Sequence, residues 1–175
     1  MKTTVKTTLA SLAIVLMTSC KENNQDTNNS VSKSISEAST ITDEVFTDGN
    51  TGKLWDNYLK LKKALVSSDN YAVQVAAKNL DQGITEDREE IKIIAQQIAN
   101  SDDLDAQREL FAVFTEKAGT LFKDGLTSGT IYRQFCPMAF NNNGGYWYSD
   151  VAEVRNPYFG DRMLNCGSVK ETISK

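Results

Sequence analysis

Four sulfur side chains stand in two short pairs. Cys136 and Met138 are two residues apart, and Met163 and Cys166 are three apart. Pro137 fixes its own φ and biases Cys136 toward an extended backbone. In an extended segment, side chains two apart point to the same side. Met163 and Cys166, followed by Gly167, share a face if they lie on one helical turn. Each pair then presents a thiol and a thioether in one direction. A fold that joins the pairs makes a four-sulfur site. Such soft ligands select Cu(I) over hard cations, with Ag(I) as its mimic. Between the pairs lie the polar run Asn141-Asn142-Asn143-Gly144-Gly145, the aromatic Tyr146-Trp147-Tyr148, and Asn156-Pro157-Tyr158-Phe159-Gly160. Trp147 has two readings: its ring covers the ion by analogy with cation–π contacts, or it packs over the supporting helices.

The same cysteines have a second chemistry. The chain holds three Cys, and if Cys20 is lipidated an even pair remains in an exported protein. Such a pair most often forms a disulfide. Closing the loop from Cys136 to Cys166 would stabilise the fold by roughly 3–4 kcal/mol on the loop-entropy model. Met138 and Met163 would then be core methionines. A disulfide offers no thiolate, so the two chemistries exclude each other at any one moment.

Other chemistry is thinly represented. The chain has no His, which removes Ser-His and Cys-His nucleophile pairs and His-based zinc or Cu(II) sites. No phosphate loop, dinucleotide fingerprint or EF-hand loop occurs. A thiol oxidoreductase would show Cys-x-x-Cys in an α/β pattern, and here the Cys are far apart. Two Cys fall short of a structural zinc site, unless acids such as Asp150, Glu153 or Asp161 join them. No enzyme is expected. The formal charge is −4, so nothing draws the chain to nucleic acid.

Residues 1–19 read as a signal segment. Lys2 and Lys6 form a positive start, Leu9 to Met17 is an apolar run too short to span a bilayer, and Thr18-Ser19 precede Cys20. This resembles a lipoprotein signal, with Cys20 the lipidated first residue of the mature chain. Lys21-Glu22 resembles the short charged signal for the outer face of the outer membrane. Residues 20–53 read as lipidated Cys and tether, rich in Asn, Ser, Thr and Asp. The tether spans roughly 30 Å as a coil and about 110 Å extended. Around Ile41 to Phe46 it has enough apolar character to dock as a short element. Residues 54–175 are then one domain by size.

The domain must position the sulfur pairs, and it reads as mainly α. Leu54, Tyr58, Leu61 and Leu65 predict a helix from Leu54 to Ser67, with Lys60, Lys62 and Lys63 mostly off the stripe. Asn70 to Gln82 carries a small-residue stripe, capped by Ser68 or Asp69 and stopped by Gly83. Thr85 is the candidate cap of a third helix with Ile91, Ile94, Ala95 and Ile98 at helical spacing. Ser101 or Asp103 caps a fourth, which carries Phe111, Phe114, Ala118 and Phe122 and stops at Gly125. The run Asp87 to Lys92 reads as a solvated face. Short connections predict an antiparallel four-helix bundle. Thr130 to Phe135 and Tyr146 to Tyr148 predict a short C-terminal β-hairpin, with one helical turn over Arg162 to Asn165.

The ordered set Cys136-Pro137-Met138-Ala139, Trp147, Asn156-Pro157-Tyr158-Phe159-Gly160, Met163 and Cys166-Gly167 resembles a domain-of-unknown-function family. That family occurs in small lipoproteins of Gram-negative envelopes. It also occurs fused to the adaptor subunits of copper/silver efflux pumps. The resemblance covers about Leu54 to Ser168 and implies the same mainly helical fold. It also implies metal handling or efflux, with efflux components as partners. The expectation carried forward is a lipid-anchored envelope protein that binds Cu(I) or Ag(I) through Cys136, Met138, Met163 and Cys166. The alternative is a structural or protein-interaction module stapled by a Cys136–Cys166 disulfide.

Overall fold

Asp48 starts the first helix. Its carboxylate accepts hydrogen bonds from the backbone N–H of Asn50 at 3.0 Å and of Thr51 at 2.8 Å, and from the Thr51 hydroxyl at 2.8 Å. Helix α1 therefore runs Gly49–Val66, beginning five residues before the Leu54 that apolar spacing marks. Its first turn (Gly49, Asn50, Thr51, Gly52, Lys53) has no apolar stripe, so periodicity does not register it. The computed structural model describes residues 44–175. The signal segment, Cys20 and the tether up to Asp43 lie outside the described residues.

Three more long helices follow. Helix α2 spans Asn70–Gly83, with Asp69 accepting from the Ala72 N–H at 3.0 Å. A 3-10 turn, Glu86–Arg88, leads into α3, Glu89–Asn100. Thr85 precedes that turn but makes no side-chain capping bond. Helix α4 spans Leu104–Gly125, and of its two candidate caps Asp103 does the work, accepting from Asp105 and Ala106 N–H. Each helix packs on the next, and α4 returns to α1.

Two small antiparallel sheets complete the molecule. Strand β1, Val45–Phe46, pairs with β2, Leu126–Ser128. The second sheet has three strands in the order β4-β3-β5. They are β3, Thr130–Cys136; β4, Gly145–Ser149; and β5, Ser168–Ser174. The expected hairpin is β3 with β4. Strand β5 is additional, and it makes β3 the central strand. Its sequence is polar, and Val169, Glu171 and Ile173 alternate into partial burial.

The core joins α1, α4 and the sheet. Trp55, Tyr58, Leu61 and Leu65 of α1 meet Phe111, Phe114, Ala118 and Phe122 of α4, all fully buried. Tyr58 stacks on Phe111 with ring centroids 5.1 Å apart, and Trp55 meets Phe122 edge-on at 5.0 Å. The Tyr58 hydroxyl accepts the Tyr148 backbone N–H at 3.0 Å and lies 3.0 Å from Thr115 Oγ1. A buried hydroxyl without partners costs several kcal/mol, roughly 1–3 in proteins. Here it is satisfied, and it ties α1 and α4 to β4.

Two charged side chains depart from the solvated role their spacing implies. Lys62 is buried, and its ammonium donates to Ser149 Oγ at 2.8 Å and Asp150 Oδ1 at 3.4 Å. Burial lowers its pKa, with Asp150 opposing that shift. Arg88, in the run read as a solvated face, donates to Thr51 Oγ1 at 2.9 Å and pairs with Asp48 at 3.7 Å. It thereby fastens the α3 approach to the start of α1.

Burial holds the phenols of Tyr58, Tyr148 and Tyr158 above the ordinary value of 10.0. Their contribution to stability is complete below the unfolded pKa. It is lost as pH rises past about 10, where the unfolded chain ionises its phenols first. Lys62 acts in the opposite sense up to its own unfolded value. The phenol effect is therefore read as a difference between wild type and Tyr58→Phe. Urea unfolding is expected to show Tyr58→Phe about 1–3 kcal/mol less stable at pH 7, with the deficit shrinking above pH 10. Absorbance at 295 nm is expected to show these three of the six Tyr ionising only as the chain unfolds.

Candidate functional site

Strand β3 ends at Cys136, which pairs with Gly145 of β4, while its neighbour Phe135 pairs with Ser168 of β5. The backbone then turns. Met138 lies in the right-handed helical region at φ −89, ψ −9, so the extended run stops at Cys136 and the two-apart rule does not reach Met138. Phe140, Asn141 and Asn142 follow with φ of 52°, 57° and 67°. Asn tolerates this left-handed region through local hydrogen bonding, but Phe rarely enters it. The Phe140 ring meets Tyr158 edge-on at 4.8 Å, and Gly144 N–H bonds the Ala139 carbonyl at 2.9 Å. These contacts hold the turn.

The second sulfur pair also sits on a turn, not on a helix. The helical turn expected over Arg162 to Asn165 is a 3-10 turn at Gly160–Arg162. Met163 falls after it, at φ −151 and ψ 54. The Cys166 N–H bonds the Met163 carbonyl at 3.0 Å, so Met163 and Cys166 bracket a β-turn. A three-residue spacing serves either geometry, and the sequence alone does not separate them.

Asn156 positions this turn. It is fully buried. Its Nδ2 donates to the Cys166 carbonyl at 2.8 Å, and its backbone N–H to the Leu164 carbonyl at 2.8 Å. Its Oδ1 accepts from Tyr158 N–H at 2.8 Å and Phe159 N–H at 3.3 Å. One amide thus links the Asn-Pro-Tyr-Phe turn to the residue that carries the thiol. Gly167 completes the approach. Its φ is +141°, and a Cβ there would lie 2.9 Å from both the Phe135 carbonyl oxygen and Trp147 Cη2.

The result is convergence. Cys136 Sγ and Cys166 Sγ stand 2.7 Å apart. Cys136 is fully buried and Cys166 is partly exposed. The hydrogen bond to Cys136, and then burial, push the Cys166 thiol above its ordinary value, while the Met138 N–H opposes this. Met163 is partly buried, and the Met138 side chain is 48% exposed, so Met138 is not a core residue. Among the described residues no group of three or more His, Cys, Asp or Glu gathers. Asp150 instead pairs with Lys62. The side chains that meet in this corner are two thiols.

Trp147 packs. It is fully buried, donates from Nε1 to Gln134 Oε1 at 2.6 Å, and meets Tyr158 edge-on at 5.8 Å. Gln134 in turn donates to the carbonyls of Val151, Ala152 and Glu153. Sequence reasoning passed over Gln134, and read Asn156 only as part of a turn. The available signal was a polar residue at a core-facing position of each segment.

Asn156→Ala is expected to destabilise the chain by about 2–3 kcal/mol in urea, since it leaves buried partners unpaired. It is also expected to slow air closure of the cysteine pair, followed by counting free thiols. Gly167→Ala is expected to cost a similar amount, because the backbone must leave a conformation that L side chains seldom adopt. A variant as stable as wild type would show that the clamp is dispensable.

Residues 54–129 match the model of a family described as "Protein of unknown function (DUF3347)". The match takes in α1 from Leu54, α2, α3, α4 and β2, and stops before Cys136. No curated protein and no solved structure matches the chain.

Proposed function

We propose that this chain is a lipid-anchored envelope protein that binds a soft monovalent ion, Cu(I) or Ag(I), in metal handling or efflux. Cys136 and Cys166 supply thiolates, and Met138 and Met163 supply thioethers. In this reading an antiparallel four-helix bundle is the support. Cys20 carries the lipid, in the outer membrane of a Gram-negative cell, and copper/silver efflux components are the partners. The ion is cargo; no bond is made or broken in a substrate.

The observation that carries this reading is the meeting of two thiols thirty residues apart. A methionine in the core fills space; the half-exposed Met138 side chain is free of that role, which supports reading it as a ligand. The donor set contains no imidazole or carboxylate, which suits Cu(I) and Ag(I) and disfavours zinc and hard cations. Binding releases protons from the thiols.

A specific observation also favours the disulfide-stapled module. A disulfide bond is about 2.0 Å long, and at 2.7 Å the two sulfurs are close to bonding. Thiol counting and copper competition separate the readings. The chain carrying Cys20→Ala is reduced and titrated anaerobically with Cu(I) against a chromogenic chelator. One tight Cu(I) per chain is expected, abolished in Cys136→Ser and weakened about tenfold or more in Met138→Ala or Met163→Ala. A reduced chain that never competes for copper leaves the staple as the function of the pair.

A further inference from the structure

The two cysteines are chemically unequal. Cys136 is fully buried at the end of the central strand, whereas Cys166 sits on a turn and is partly exposed. Their separation of 2.7 Å is nearer to a disulfide than to two sulfurs sharing an ion. With metal–sulfur bonds of about 2.3 Å, such sulfurs stand roughly 3.8 Å or more apart. The folded chain therefore brings the pair to the threshold of a cystine, and an ion requires that it be open.

We propose that the pair is redox-active, and that a dithiol reductant attacking at Cys166 must act before the ion loads. This rests on the soft-metal reading above. In the oxidised form a thiolate of the reductant attacks Cys166 Sγ. A bond forms between the two sulfurs, and the Cys136–Cys166 bond breaks. Cys136 leaves as a thiolate and takes up a proton. The second thiol of the reductant, on losing its proton, attacks the reductant sulfur of this mixed disulfide. The reductant becomes a cystine and releases the Cys166 thiolate. Two electrons pass from the dithiol to the pair. Attack falls on Cys166 because thiol–disulfide exchange needs access to the sulfur attacked, and Cys136 is covered. The Asn156 and Gly167 contacts keep the Cys166 backbone in place throughout. The step that must precede metal loading is thus a two-electron thiol reduction.

The test uses the chain carrying Cys20→Ala. In the reduced native chain, limiting iodoacetamide followed by mass spectrometry is expected to label Cys166 about tenfold or more faster than Cys136. Equal labelling overturns the assignment. With oxidised glutathione, Cys136→Ser is expected to accumulate a mixed disulfide on Cys166, and Cys166→Ser to accumulate little on Cys136. Wild-type labelling decides the matter if either variant fails to fold. The oxidised chain is expected to take up no Cu(I) until dithiothreitol opens it. An oxidised chain that binds Cu(I) as tightly as the reduced one overturns the gating and leaves the soft-metal reading standing. A reduced chain that binds no Cu(I) removes that reading and the gating together, and the labelling order still judges exchange at Cys166.

Discussion

The hydroxyl of Tyr58 is the point through which the helices hold the sheet. It lies at the centre of a stack of aromatic rings from α1 and α4, where an unpaired oxygen would be costly. Its partners are Thr115 on α4 and the backbone N–H of Tyr148 on β4. That one atom sets how far β4 stands from the helical layer. Lys62, one helical turn further along α1, reaches Ser149 on the same strand. Two bonds from α1 thus fix β4, β4 fixes β3 by antiparallel pairing, and β3 delivers Cys136. The buried thiol is positioned by a chain of contacts that begins on the first helix.

Cys166 is positioned by different means. No helix carries it. It depends on the buried amide of Asn156, on a glycine that lets its backbone lie against Phe135 and Trp147, and on the pairing of β5 with β3. Each of these is a polar or close-approach contact with little tolerance. The two halves of the sulfur corner thus rest on different supports. One is reached through the helices and the pairing of β4 with β3, and the other through a buried side-chain amide and a glycine.

These differences explain what the sequence made legible. Apolar stripes and acidic caps mark α2 and α4 to within a residue, because Asp69 and Asp103 satisfy the first N–H groups of each helix. The start of α1 escaped because its first turn is polar and its signal is the single carboxylate of Asp48. Lys62 escaped because its burial depends on Ser149 and Asp150, far off in sequence. That the corner is rich in sulfur is plain from residue types. That two cysteines meet is not, since it depends on β5, whose polar sequence hides its pairing. The Met163 to Cys166 spacing fits a helical turn and a β-turn equally, and only the hydrogen bond between them decides it.

The strand order β4-β3-β5 has a consequence in time. Helices α1 to α3 contact sequence neighbours, α4 returns to α1 across the helical layer, and β3 meets β4 across a short connection. The pairing of β3 with β5 spans about forty residues, and contacts of long sequence separation form slowly because chain closure must precede any gain. The thiols therefore cannot be held side by side until β5 has paired with β3. Until then each cysteine is open to any oxidant or stray thiol. The outer strand thus makes the meeting of the pair conditional on a complete sheet.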